Sequence, residues 1–418
     1  MLKITRGRVY HNLKSEFKDI VLTIFSKNIY QESKILEFES KLASRIGRKY
    51  AKSMPFARYA LYTILKYKNF PQGSEIIMPP ITIKPMVDIV IMCGLKPVFV
   101  DIELDTLCFD DKKLEQSITA NTKAILITYL FGIVPDMNNI LKIAKKYNLY
   151  TIEDFSHNIN SQYNNKNIGT LGNVSIYSSS SLKTVDSYIG GTVLTDDEKL
   201  YLHLKSIECK LPKMPRIFLI KKIILNMVRN IFSKRFIFTF VTSPLLTVIK
   251  KLNYNLYKKV LGARLNLSTI TSMPIDWSYR FTSIQANRGL EQLNQVDLID
   301  KSKIQNIKVL KQYLSQEFHH LLPKELPSNK NVYWQYPIYI EQKEQFLKYL
   351  ENTKLDMGTT NLSLCAMLEI YPKYKTHTPN ALKVKHNYMF IPTYIGLTTK
   401  DMIYIAQTLN EFLRNQYD

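Results

Sequence analysis

The chain is short of several things, and each shortage excludes a class of protein. Its four cysteines, Cys93, Cys108, Cys209 and Cys365, are scattered with no CxxC or Cys/His spacing. That excludes a zinc site and a disulfide framework and fits a reducing compartment. The opening MLKITRGRVYHNLKSEFK lacks the apolar core of a signal peptide, and no uncharged apolar run is long enough to span a bilayer. A cytoplasmic location is the expectation. Glycine (13) and proline (17) are modest and no low-complexity linker or internal repeat is visible, so the 418 residues read as packed, folded units rather than a disordered tether. Acid is missing from one window altogether: residues 209–275 hold 13 Lys plus Arg and no Asp or Glu, which supplies 13 of the net charge of +22. A surplus of that size suits an anionic partner.

What is present is mostly an alternation of strands and helices. After a basic arm over 1–50 with a helix from Ser33 to Ile46, the pattern predicts strands at Glu75–Met78, Pro97–Ile102, Ala124–Tyr129 and Leu149–Ile152. Helices are expected at Pro55–Lys66, Pro85–Cys93 and Asp136–Tyr147. Apolar strands separated by amphipathic helices predict an α/β large domain over 51–275 with a mostly parallel central sheet covered on both faces. A smaller C-terminal α+β domain over 276–418 follows. It has helices Ser283–Leu293, Val296–Phe318, Lys343–Glu351 and Thr399–Arg414 and a strand Val332–Ile340.

The stretch YSSSSLKTVDSYIGG, from Tyr177 to Gly191, places Lys183 among four serines between two strand-like runs. A lysine held there can be kept from bulk water, which disfavours its charged form and makes the amine a better nucleophile. Asp154, in TIEDFSH, follows another strand, and Phe56-Ala57-Arg58 opens a helix whose N-terminus favours a phosphate. Ligands of such sheets sit at the carboxyl ends of the strands, so an acid, an amine and an anion site are expected on one rim.

The acid-free window carries a basic amphipathic helical insert at about 210–265. In Ile217–Phe232 the polar positions Lys222, Asn226, Arg229 and Asn230 share one face and Ile217, Ile220, Ile224, Val228 and Ile231 lie opposite. Such a helix either lies on a membrane surface or covers the protein's own core or dimer seam. The uncharged run Phe236–Ile249 is too short to cross a bilayer.

Four ordered blocks resemble the DegT/DnrJ/StrS family of sugar aminotransferases, pyridoxal phosphate (PLP) enzymes of fold type I. They are DIELDTLCFDDKKLEQSITANTKAILITYLFGIVPDM, IEDFSHNINSQYNNKNIGTLGNVSIYSSSSLK, YRFTSIQANRGLEQLNQVD and IPTYIGLTTKDMIYIAQTLNEFL. The resemblance implies that Lys183 holds PLP as a Schiff base and shuttles the proton, and that Asp154 pairs with the pyridine nitrogen. It places His157 near the ring hydroxyl, and Ser178, Ala57 and Arg58 at the phosphate. Ala57 and Arg58 stand where many relatives have Gly-Thr, and the guanidinium reads as a substitute for the hydroxyl. Departures exist. Ile83 takes the place of an aromatic residue against the ring, Ser278 replaces an Asn that in relatives reaches the phosphate of the other subunit, and the serine run before Lys183 and the insert are unusual.

The function implied by the resemblance is transfer of an amino group, with glutamate as donor, onto a keto sugar carried by a nucleoside diphosphate, in surface polysaccharide or glycoconjugate biosynthesis. A homodimer is implied as well. Residues 213–260 are expected to touch an anionic membrane, peripherally at its inner face; no metal and no nucleic acid are expected. The alternative from another class is a PLP-fold protein with weakened catalysis that acts as a membrane-surface binding or regulatory protein.

Overall fold

The computed structural model describes residues 2–260 and 268–417, so the end of the expected insert, 261–265, lies outside the described residues. A seven-stranded sheet dominates. Its strands in chain order are β1 (Tyr50–Met54), β2 (Glu75–Met78), β3 (Lys96–Phe99), β4 (Thr122–Thr128), β5 (Tyr150–Asp154), β6 (Val174–Ser178) and β7 (Gly191–Thr195). They lie in the order β1-β7-β6-β5-β4-β2-β3. The pairs among β3, β2, β4, β5 and β6 are parallel, and β7 runs antiparallel to both its neighbours.

Successive side chains of these strands feed two separate cores, as a sheet covered on both faces requires. Ile76, Met78, Ala124 and Leu126 pack on one side with the helices Ala57–Lys68 and Lys84–Met92, whereas Ile77, Ile125 and Ile127 pack on the other with Glu32–Ile46 and Met137–Lys146. The α/β expectation with its mostly parallel sheet therefore holds. A third core joins Ile338, Phe346, Phe390 and Ile405 around a small antiparallel sheet of Tyr336–Tyr339, Tyr388–Ile391 and Gly358–Thr359.

Three expectations are corrected. The helix from Val296 stops at Tyr313 rather than Phe318, because Leu314 turns extended to bury its side chain and the Ser315 N–H donates to Asn410 Oδ1 at 2.9 Å. The strand expected over 332–340 is confined to Tyr336–Tyr339; the stretch before it is held by the large sheet's loops, with Val332 N–H donating to Ser161 Oγ at 2.7 Å and Trp334 N–H to Phe131 O at 2.9 Å. The strand Pro97–Ile102 is only Lys96–Phe99, and Ile102 instead bridges Phe109.

The arm contains a helix the sequence reading did not separate, Leu13–Phe25, capped by the Asn12 side chain, which accepts from Lys14 N–H at 2.9 Å. It packs along the insert helix Arg216–Phe232. Arg216 joins the two: its guanidinium donates to the carbonyls of Thr23, Ile24 and Ser26, so a cation meets the carbonyl end of the arm helix. Of the two faces of the insert helix, the one carrying the asparagines turns inward. Asn226 and Asn230 are buried beside Leu219 and Ile223, while Ile217, Ile224, Leu225 and Val228 are exposed.

Candidate active site

Strand β5 ends at Asp154 and β6 at Ser178, so both reach the carboxyl edge of the sheet, and the lysine loop crosses from Ser178 back to Gly191. The Asp154 carboxylate accepts from Ser156 N–H at 3.0 Å. Ser156 Oγ in turn accepts from Ser178 N–H at 2.9 Å, which locks the two strand ends together. Burial raises the Asp154 pKa, against the hydrogen bonds from Ser156 and the attraction of Lys183.

Lys183 shows the opposite displacement. Burial lowers its pKa to about 8, opposed by the attraction of Asp154. Its ammonium stands 4.2 Å from the centre of the Trp334 ring. The same indole stacks on His157 (centroids 4.5 Å apart, planes 18° apart) and donates from Nε1 to Leu182 O at 2.8 Å. His157 is buried and held far below its ordinary pKa by burial and by the neighbouring Lys183. Its Nδ1 accepts from Phe131 N–H at 3.0 Å, which leaves the proton of the neutral ring on Nε2.

The loop is held by hydroxyls and by one carboxylate. Asp186 accepts from Leu182 N–H at 2.9 Å and from Tyr188 N–H at 2.7 Å, and both of these residues adopt positive φ (73° and 71°). Two left-handed non-glycine residues flanking one lysine are strained conformations that the surrounding bonds must enforce. The serine run gains a structural account here. Ser187 Oγ donates to Ser179 Oγ at 2.8 Å, Ser180 Oγ to Gly190 O at 3.3 Å and Ser181 Oγ to Asn226 Oδ1 at 2.6 Å. Arg229 of the insert also donates to Ser181 Oγ, at 3.2 Å. The insert therefore grips the loop two residues before the lysine.

Asn226 continues inward, donating to Glu16 Oε1 at 2.9 Å, while Asn230 donates to Glu16 Oε2 at 3.0 Å. His11 stands between, with Nδ1 3.2 Å from Glu16 Oε1 and Nε2 3.5 Å from Asp186 Oδ2. Burial opposes the Glu16 charge, and the hydrogen bonds from His11, Asn230 and Asn226 outweigh it, so its pKa lies below the ordinary carboxylate value.

The expected phosphate corner lies at the start of the helix Ala57–Lys68. The Arg58 guanidinium is sandwiched between the rings of Phe56 (3.8 Å) and Trp277 (4.1 Å), an arrangement that fixes its plane. Gly191 is required beneath it, since a Cβ there would lie 2.2 Å from Ala57 N and from Phe56 C. Ser278, next to Trp277, spends its hydroxyl on Pro274 O at 3.4 Å. Ile83 is 37% exposed at the cap of the helix Lys84–Met92.

The structure thus brings Lys183, Asp154, His157 and Ser178 to neighbouring strand ends and puts Arg58 on the helix start beyond Gly191. Sequence reasoning missed Trp334, Trp277 and Asp186. One signal was available: the chain has only two tryptophans, and both stack on cations that the reading had singled out.

The donor set fits a pyridoxal ring. Burial penalises the charges of an acid and an amine that feel each other's field, which suits a group that brings a protonated nitrogen to the first and an aldehyde to the second.

Comparisons with known proteins agree. A model of the DegT/DnrJ/EryC1/StrS aminotransferase family matches residues 12–210 and 259–410 and skips the stretch between them, which is the basic insert. The GDP-perosamine synthase of Escherichia coli O157:H7 is 26% identical over 384 residues, 90% of each chain. Among solved structures, an aminotransferase from Psychrobacter cryohalolentis superposes with a TM-score of 0.75 at 17% identity, covering 99% of this chain and 100% of that one. The E. coli GDP-4-keto-6-deoxy-D-mannose-3-dehydratase, solved with bound hydrated PLP, superposes with a TM-score of 0.73 at 19% identity, covering 98% and 100%.

Proposed function

The chain belongs to the DegT/DnrJ/EryC1/StrS aminotransferase family, and from that premise we propose that it moves an amino group from glutamate onto a keto sugar carried by a nucleoside diphosphate. The observation that carries the reading is the depressed amine of Lys183, opposed across the strand ends by the Asp154 carboxylate. When bound, PLP supplies an electron sink for the carbon that gains or loses the nitrogen.

The chain's own groups do the rest. With its pKa near 8, Lys183 is partly neutral at physiological pH, so Nζ serves first as a nucleophile and then as the base that takes and returns one proton. Asp154 would hold a proton on the ring nitrogen by its charge. His157, fixed as the Nε2–H tautomer by Phe131, offers a donor to the ring hydroxyl. Arg58, the Ala57 N–H and Ser178 hold the phosphate. Trp334 lies against the amine, its ring centre 4.2 Å from Nζ. Fold alone does not choose the reaction, since a dehydratase shares it; a lysine whose amine is partly neutral favours amino transfer. The enzyme works as a homodimer in surface polysaccharide or glycoconjugate biosynthesis, beside the inner face of an anionic membrane touched through residues 213–260.

Protein given PLP turns yellow, glutamate bleaches it, and a nucleotide-linked keto sugar restores the colour. Lys183→Ala loses the absorbance and lowers transfer by about a thousandfold or more. Reaction of Lys183 with an aldehyde levels off above pH about 8, where a lysine at the ordinary 10.5 keeps accelerating. Wild type that stays colourless with PLP overturns the reading.

A further inference from the structure

The arm helix Leu13–Phe25 is inside out, and the insert helix Arg216–Phe232, which buries Leu219 and Ile223 in its first half, repeats the pattern over its second half. The arm helix buries Glu16, Asp19 and Thr23 and exposes Phe17 (62%), Ile24 (46%) and Phe25 (76%). The insert helix buries Asn226 and Asn230 and exposes Ile217 (60%), Ile224 (47%) and Val228 (43%). They pack side by side, and the segment after the insert helix continues the pattern with Phe236, Phe240, Leu245 and Leu252 exposed. Exposed apolar residues concentrated in this way mark an interaction surface.

Charge identifies the occupant. Both acids of the arm helix point inward and residues 209–275 contain none, while Lys14, Lys18, Lys221, Lys234 and Lys251 are exposed. A second copy docked by the same face about a two-fold axis would set cations against cations. A bilayer bearing anionic headgroups satisfies both the apolar side chains and the lysines. No single helix among the described residues is long and apolar enough to cross; Arg216–Phe232 and Arg235–Leu252 have the length and composition of a span only when taken together, and they are bent by 71° from each other.

We propose that the outward faces of Leu13–Phe25 and Arg216–Phe232, continued through Leu252, form one docking surface for an anionic bilayer. The inference extends the membrane contact stated above to the arm helix, and it stands apart from the amino-transfer chemistry.

The test is co-sedimentation of the full chain, supplied with PLP, with phosphatidylcholine vesicles lacking or containing phosphatidylglycerol. Wild type pellets with the anionic vesicles and at least tenfold less with the neutral ones. Ile224→Asp/Val228→Asp and Phe17→Asp/Ile24→Asp each reduce pelleting at least tenfold and leave the sedimentation velocity unchanged. Pelleting equal between vesicles, equal between variants and wild type, or absent from wild type overturns the proposal. So does conversion of a wild-type dimer to monomer by these variants, which would assign the face to a second copy. The yellow absorbance, read on every sample, separates the two claims: colourless wild type that still binds vesicles defeats the aminotransferase reading and leaves this one intact.

Discussion

The helices Leu13–Phe25 and Glu32–Ile46 are neighbours in the chain and are anchored in opposite ways. Glu32–Ile46 buries Ile35, Phe38, Leu42, Ala43 and Ile46 against the sheet and the helix Ser283–Leu293. Leu13–Phe25 holds on through Glu16, bonded to Asn226 and Asn230, and through Asp19, which accepts from Tyr188 OH at 2.6 Å and from Arg288 Nη2 at 2.6 Å. Glu32–Ile46 is fixed by water leaving apolar surface, which is strong and undirected. Leu13–Phe25 is fixed by directed bonds among buried polar groups, which add little net stability when complete and cost much when broken. Anchoring by polar groups also leaves the apolar residues of Leu13–Phe25 for other use.

The largest effect should come from breaking the apolar anchor. Phe38 is fully buried and stacked on Phe281 at 5.8 Å, so Phe38→Ala should lower unfolding free energy by about 3–5 kcal/mol in urea titration. Breaking the polar anchor comes next. Glu16→Ala removes the carboxylate to which Asn226 and Asn230 both donate and should cost about 3 kcal/mol near neutral pH. Because the folded pKa of Glu16 lies below its unfolded value, its contribution is present above the unfolded pKa and is lost as pH falls through the folded one. The gap between wild type and Glu16→Ala should therefore narrow in acid. The smallest effect sharpens the contrast within one helix: Ile224→Ser, on the exposed side, should change stability by less than about 0.5 kcal/mol.

These contrasts explain what could be read from the sequence. Sheet strands such as Glu75–Met78 were legible because buried parallel strands are short apolar runs. Lys183 and Asp154 were legible because they end such runs and sit in motifs of a known family. The insert helix was legible as a helix, but periodicity gives the existence of two faces and not which one packs. Partners distant in the chain, Glu16 and Ser181 among them, decide that. Trp334 was hidden for a related reason: its stretch looks like strand, yet Val332 and Trp334 bond to loops of the large sheet instead of continuing the small one.

Asp186 ties both shoulders of the lysine loop, and His11 leans on it from the arm. Trimming the amino terminus through residue 11 would thus remove a side chain that braces the reactive amine, although the two are far apart in sequence. Any shortened version should be judged first by its colour and only afterwards by its solubility.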